Sequence, residues 1–242
     1  MAAKSILSCA LVALVGCVSY GDGETAGQAS SASAVDARSC ASADVKAHDD
    51  FEGRTKANDA GWAKGRVSDG LPTITTPSAK TTSVLTVKVP ATTDEDAKST
   101  AYIEREVPAS GCLAVEFDVH FSEQAPFPNE AWTYFWWLDA SDDLNLSLFR
   151  RANYVRLAAQ RGGSELERID VELPLDKWSR VHIEVTLDAA RPVMSIAVGK
   201  TEAKKVTLAE PLAAPYFVSL GTWSRGPVPA HELLFDDVKL WY

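Results

Sequence analysis

Between Arg180 and Val198 the chain changes polarity at almost every residue. Val181, Ile183, Val185 and Leu187 alternate with Arg180, His182, Glu184 and Thr186. After Asp188-Ala189-Ala190-Arg191-Pro192, the residues Met194, Ile196 and Val198 repeat the pattern. A period of two gives an extended strand one apolar face and one wet face, which a helix turning every 3.6 residues cannot do. Two such runs joined by a Pro-containing turn predict an antiparallel hairpin. Short strand-like runs recur along the chain: Trp62 to Val67, Val84 to Val89, Thr100 to Val107, Leu113 to Ser122, Trp132 to Asp139 and Leu144 to Phe149. Tyr154 to Gln160, Glu167 to Glu172, Tyr216 to Trp223 and Leu233 to Trp241 complete the set. No segment holds a helical period over three turns, and no internal repeat is present. Many short strands separated by turn residues predict a sandwich or barrel.

Particular residues narrow that class. Trp178, Arg180 and Val181 open the hairpin in the way a Trp, a basic residue and Val open the central hairpin of laminin-G-like and concanavalin A-like jelly rolls, which this stretch resembles. Asp50-Phe51-Glu52 followed by Gly61-Trp62 is similar to the opening strand of bacterial jelly-roll domains, and Leu234 to Leu240 is similar to their closing strand. The resemblance spans the domain as a pattern of strands. It implies an all-β fold, a two-sheet antiparallel β-sandwich of the jelly-roll, concanavalin A-like kind, with its two ends side by side in one sheet.

The N-terminus speaks to location. Ile6 to Val15 is apolar apart from Ser8 and Cys9, too short to span a bilayer and shaped like a signal-peptide core. Leu14-Val15-Gly16-Cys17 resembles the lipobox of bacterial lipoproteins. That resemblance implies cleavage before Cys17, lipidation of its thiol, and stable membrane attachment through the lipid anchor. An ordinary secretory signal with a chance cysteine is the alternative. Val18 is not acidic, which favours the outer over the inner membrane of the cell envelope. Residues 18 to 47 are Ser, Ala, Gly and acidic, a composition unable to bury enough surface to order itself. The expected organisation is a signal segment at 1–16, a lipidated Cys and tether at 17–47, and a jelly-roll domain at 48–242.

Charge excludes one class of partner. The chain carries 24 basic and 33 acidic side chains, a net of −9. Loss of residues 1–16 removes only Lys4 from that balance. A chain of this sign is no nucleic-acid binder, because phosphate tracking needs positive charge. Cys40 and Cys112 remain beside Cys17, and outside the cytoplasm two spare thiols pair. Closing the loop between them stabilises by roughly 4 kcal/mol on the chain-entropy model. A metal or catalytic role for either thiol is the alternative, with no CxxC motif behind it.

Two strands carry candidate chemistry. In Val115 to Phe121 the apolar residues face one way and Glu116, Asp118 and His120 the other. Retaining jelly-roll glucanases resemble this, with Glu, Asp and Glu on one strand face, and their chemistry needs two carboxyls about 5 Å apart. Glu116 and Asp118 match the first two positions, and His120 stands where the acid/base Glu would be. In Trp132 to Leu138 both parities are large and aromatic. Strict alternation places Trp132, Tyr134 and Trp136 on one face and Phe135 and Trp137 on the other. One set fills the core; the other needs a covering loop or a ligand, and flat aromatic faces stack on sugar rings. Trp178, Trp223 and Trp241 are further aromatics available to either arrangement.

Two acidic groups are candidates for a structural Ca²⁺, since hard cations want several oxygens. One is the loop Asp139 to Asp143. The other joins the termini through Glu52 or Asp50 with Asp236 or Asp237. Together these features predict a lipid-anchored cell-envelope protein whose jelly roll binds polysaccharide or glycoconjugate without catalysis. Trp132, Tyr134 and Trp136 are its expected contacts, with Glu116, Asp118 and His120 facing them. The alternatives are a divergent polysaccharide hydrolase or lyase, and an adhesion protein that binds other proteins.

Overall fold

The computed structural model describes residues 40, 44–53, 61–67, 72–75, 83–107, 111–123, 125–140, 143–187 and 189–242. The signal segment, Cys17 and the tether as far as residue 39 lie outside the described residues, as do residues 41–43. Among the described residues fifteen strands form two antiparallel sheets. In spatial order the first holds β13 (Lys204–Thr207), β12 (Val193–Val198), β11 (Ser179–Thr186), β6 (Cys112–Glu123), β15 (His231–Trp241), β4 (Val84–Val89) and β3 (Pro72–Thr75). An eighth strand, β1 (Val45–Asp49), pairs with β15. The second sheet runs β10 (Ser164–Val171), β9 (Tyr154–Arg161), β8 (Leu144–Arg151), β7 (Trp132–Asp139), β14 (Tyr216–Arg225), β5 (Lys98–Val107) and β2 (Ala63–Val67). The protein is a jelly-roll β-sandwich, and no α-helix occurs among the described residues.

The alternation that predicted the hairpin sets its register. Val181 lies opposite Val198, Ile183 opposite Ile196 and Val185 opposite Met194, and all six are buried. On the other side of β11 the same residues meet Phe117, Val115 and Leu113 of β6. A slip of one residue would turn this whole apolar set to water, so the pairing is strongly specified. The β9–β10 turn is Gly162-Gly163 with φ of 56° and 84°, the left-handed pair that a two-residue hairpin turn demands. The inner faces share one core, in which Phe121 of the first sheet meets Phe135 of the second with ring centroids 6.1 Å apart.

The two ends of the domain lie side by side, β1 running antiparallel to β15 from Val45↔Trp241 to Asp49↔Val238. The opening strand is Val45–Asp49 rather than Asp50-Phe51-Glu52. Those three residues turn the chain: Asp49 Oδ1 accepts the Phe51 N–H at 2.8 Å, Phe51 has φ of 59°, and its ring is fully buried. The expected domain boundary at 47/48 therefore falls inside β1. Cys40 and Cys112 are bonded through their sulfurs with Cα atoms 5.9 Å apart, which ties the chain to β6 earlier still. The short edge strands β3 and β13 have no counterpart among the sequence-predicted strands.

Candidate functional site

The aromatic strand β7 does not alternate throughout. Trp132 and Tyr134 point away from the core, while Thr133 points inward and bonds Thr222 at 2.8 Å and Ser224 at 2.6 Å through their hydroxyls. The ladder then slips. Tyr134 pairs with Phe149 but Trp136 with Leu148, and on the other side Tyr134 pairs with Trp223 but Trp136 with Leu220. Against β8 Phe135 is the extra residue of a β-bulge, while on the other side Gly221 and Thr222 of β14 stand opposite it, and Phe135 and Trp136 both enter the core, each fully buried. Past the bulge Trp137 and Asp139 face outward and Leu138 inward. The expectation that Trp136 shares a face with Trp132 and Tyr134 is thus corrected: Trp136 is a core residue, and Trp137 takes the outward place.

Trp137 and Tyr134 form one wall of a groove on the outer face of the seven-stranded sheet. The cavity measures about 300 Å³ and is completed by Thr100 and Tyr102 of β5, Trp223 of β14, and Asn145 and Ser147 of β8. Tyr134 and Trp223 stack at 5.2 Å and 16°, and Trp132 packs on both at 4.6 Å. Tyr102 meets Trp137 edge-on at 4.8 Å. Gly221 makes the Tyr102 position possible. A Cβ there would stand 2.3 Å from the Ala101 carbonyl oxygen and 2.6 Å from the Tyr102 Cβ. Its φ of 148° is also one that other residues avoid.

Polar groups are built into the same surface. The Tyr134 hydroxyl donates to Gln160 Oε1 at 2.6 Å, and burial pushes its pKa up to about 12. The Trp137 indole N–H donates to Asp139 Oδ2 at 3.1 Å. Desolvation holds the Asp139 pKa above the usual carboxylate range, assisted by the charge of Glu104 and opposed by the indole bond. The arrangement offers hydrogen-bonding groups of fixed position beside aromatic surface, the chemistry of a polyol site.

The other expected half of the site lies elsewhere. Val115, Phe117, Val119 and Phe121 of β6 face the core, so Glu116, Asp118 and His120 lie on the outer face of the eight-stranded sheet. That is the opposite exterior of the sandwich from Tyr134 and Trp137. The expectation of one site built from both sets is corrected accordingly. Arg180 of β11 occupies the two carboxylates: its Nη1 reaches Glu116 at 2.7 Å, and its Nε and Nη2 reach Asp118 at 2.6 and 3.0 Å. It also bridges to Asp237 at 2.8 Å. These hydrogen bonds, the one to Asp118 foremost, raise the Arg180 pKa further above its already high ordinary value. His120 packs beside the Trp178 ring at 5.6 Å. Fork-shaped pairing of this kind orients carboxylates toward the guanidinium, away from a substrate.

The acidic residues considered for Ca²⁺ at the termini are engaged by protein groups. Glu52 Oε1 accepts the Ser83 N–H at 2.9 Å, Asp50 Oδ1 the Glu52 N–H at 3.1 Å, and Asp236 Oδ1 the Asp237 N–H at 2.8 Å. Asp237 is ringed by Lys239 at 2.9 Å, Arg180 at 2.8 Å and the His48 ring at 2.7 Å. Burial alone would raise its pKa, but the bonds from Lys239 and His48 and the charges of Lys239 and Arg180 bring it below the usual carboxylate value. Among the described residues no group of three or more His, Cys, Asp or Glu side chains is placed to hold a metal ion. Ser141 and Asp142 of the Asp139–Asp143 loop lie outside the described residues.

Sequence reasoning missed Tyr102 as a groove residue and assigned Trp137 to the wrong face. The parity of Tyr102 along β5 is readable, since Ala101 and Ile103 are apolar. That β5 lies one strand beyond β14, within reach of Trp137, is a matter of sheet order, for which the chain carries no local signal.

No protein-family model matches the chain, and none of the curated proteins matches it. Solved structures share its fold. The cellulose-induced protein Cip1 superposes with a TM-score of 0.60 at 11% identity, over 81% of this chain and 96% of that one. An endo-1,3-β-glucanase from Streptomyces sioyaensis gives 0.53 at 15% identity, over 81% and 95%. The carbohydrate recognition domain of Emp47p gives 0.50 at 12%, over 80% and 92%. At these identities the likeness is one of fold.

Proposed function

We propose that this domain binds a polysaccharide or glycoconjugate on the outer face of its seven-stranded sheet, without catalysis. The observation that carries the reading is the groove in which Tyr134, Trp137, Trp223 and Tyr102 surround polar side chains of fixed position. Tyr102, Tyr134 and Trp223 stay partly exposed beside a Trp137 that is 8% exposed, and the apolar faces of sugar rings match such a surface. Two neighbours of the fold, a glucanase and a carbohydrate recognition domain, bear names that concern sugars, which favours this ligand class.

Affinity measurement on a polysaccharide panel tests the reading. Replacing Tyr134 and Trp137 together by Ala removes two anchors, and the expected loss is at least about 30-fold, or about 2 kcal/mol. Binding that survives the double substitution would remove the groove from consideration. A hydrolase working through Glu116 has little support, because Arg180 holds both carboxylates of that strand. Product release from glucans, abolished by Glu116→Gln, would restore it.

The lipobox-like Leu14-Val15-Gly16-Cys17 supports a place in the cell envelope, anchored through Cys17, in the outer membrane rather than the inner. Metabolic labelling with a fatty-acid probe should mark the wild-type protein and leave Cys17→Ala unmarked. Equal labelling of both would dismiss the anchor.

A further inference from the structure

The groove is electrostatically lopsided along β7, and its Asp139 end restricts the kind of sugar that fits. Tyr102, Tyr134 and Asp139 are the titratable residues lining it, and no lysine or arginine is among the lining residues. Glu104 lies two residues beyond Tyr102 on β5, and its charge acts on Asp139. Of the cations on this face, Arg151 and Arg225 pair with Trp132 at the far end, and Arg225 in turn pairs with Lys98, while Arg156 lies in the row of Tyr134 beyond Phe149 and Arg168 in the row of Trp137 beyond Ser147 and Ala158, where it faces Glu165 at 3.7 Å. Arg151 Nε donates to the Asn129 carbonyl at 3.0 Å, and Arg225 faces Asp96 at 3.7 Å. Arg156 on β9 is held by Asp170 at 2.8 Å and Glu165 at 2.9 Å. The strand between Trp132 and Asp139 is on the order of 20 Å long. Charges that far away on the surface are screened, since the Debye length is about 8 Å at physiological ionic strength. A short ligand beside Trp137 therefore meets Asp139 among the lining residues and no lining cation, and the cations in the groove's own rows, Arg156 and Arg168, face Glu165 and Asp170.

Resting on the glycan-binding reading above, we infer that this groove selects uncharged sugar units and rejects uronates. Asp139 already accepts the Trp137 indole N–H on Oδ2, and a carboxylate has lone pairs in hand for sugar hydroxyls. A neutral pyranose donates hydroxyl protons to it. A uronate brings a like charge into a partly desolvated site, where repulsion is stronger than in bulk water.

The experiment is calorimetric titration of the full domain with short probes that stay at one end of the groove. Neutral trisaccharides of β-1,3-glucan, β-1,4-glucan, mannan and xylan are compared with trigalacturonate and trimannuronate. Neutral members should bind, with uronates at least about tenfold weaker, the effect of two like charges about 6 Å apart in a half-solvated site. Asp139→Asn should close most of that gap while leaving the unfolding midpoint in place. Uronates that bind as tightly as the best neutral sugar, through Tyr134 and Trp137, would overturn the selectivity and leave the glycan reading standing. A gap unchanged in Asp139→Asn would overturn the assignment to Asp139. Absence of sugar binding across the panel, or binding indifferent to the Tyr134 and Trp137 double substitution, would overturn both.

Discussion

His231 stacks on Phe121 at 5.5 Å with the rings 7° apart, and its Nδ1–H donates to the Pro229 carbonyl at 2.9 Å. That bond leaves Nε2 as the unprotonated nitrogen, and Nε2 is buried with no hydrogen-bond partner among the described residues. A second proton would place a charge among Phe121 and Phe127, so burial lowers the His231 pKa to about 4. The sign of the consequence follows from linkage. Below its ordinary value near 6.5 the unfolded chain gains a proton that the folded one refuses, so stability is full above that pH. It declines as pH falls toward 4, by about 3 kcal/mol in all. Denaturant midpoints between pH 7 and pH 4 should trace this limb, and His231→Phe, which keeps the stacking, should flatten it. An unchanged slope in the variant would assign the acid limb to other groups.

At the scale of the strand, β7 decides the groove through one extra residue. Trp136 and Trp137 are neighbours in sequence with opposite expected fates. Trp136→Ala opens a cavity in the core and should cost about 3–5 kcal/mol of stability. Trp137→Ala removes a groove wall and should cost glycan affinity with a smaller loss of stability, about 1 kcal/mol. Equal destabilisation by the two would contradict the bulge. Gly221→Ala tests the opposite wall. Its methyl would drive β14 from the Ala101 carbonyl and from Tyr102, costing about 1–3 kcal/mol and weakening glycan binding together. The sequence made most strands legible because a period of two is written in the side chains, and β4, β7 and β12 begin and end where alternation or apolar content does. What it concealed has physical causes. A bulge leaves no mark in a run where Phe135, Trp136 and Trp137 all tolerate burial. β3 and β13 are short edges of four residues each, too brief to show a period. The expected tether takes in Val45, Lys46 and Ala47 of β1, because these residues hold little apolar weight and owe their place to pairing with β15. Glu116 and Asp118 were legible as an outward carboxylate pair, but Arg180, the residue that settles their role, comes from a strand far along the chain.

At the scale of the molecule, the two sheets give the sandwich two unlike exteriors. On the seven-stranded side, aromatic rings and one carboxylate leave a cavity. On the eight-stranded side, Arg180 fastens β11 to β6 and β15, and Asp237 extends the same network to His48 of β1. That network draws together the central strands and the chain's first strand. Stacked sheets lie about 10 Å apart, and the packed core between them is mostly apolar, its inward Thr133, Thr222 and Ser224 hydroxyls bonding one another, so a charge change on one exterior couples weakly to the other. Arg180→Met should therefore cost about 2 kcal/mol at pH 7, a figure kept below the buried-pair range because the guanidinium side chain is 37% exposed. Asp237 loses its share as pH falls from 3.8 through its lowered folded value, since the unfolded chain protonates first. Glycan affinity in Arg180→Met should match the wild type, while Tyr134→Ala with Trp137→Ala loses affinity. Combining all three substitutions should give additive effects on stability, as sites without shared partners do. An affinity change of more than about threefold in Arg180→Met would mean that the two exteriors are coupled through the core, and the ion network would then belong to the binding site as well as to the fold.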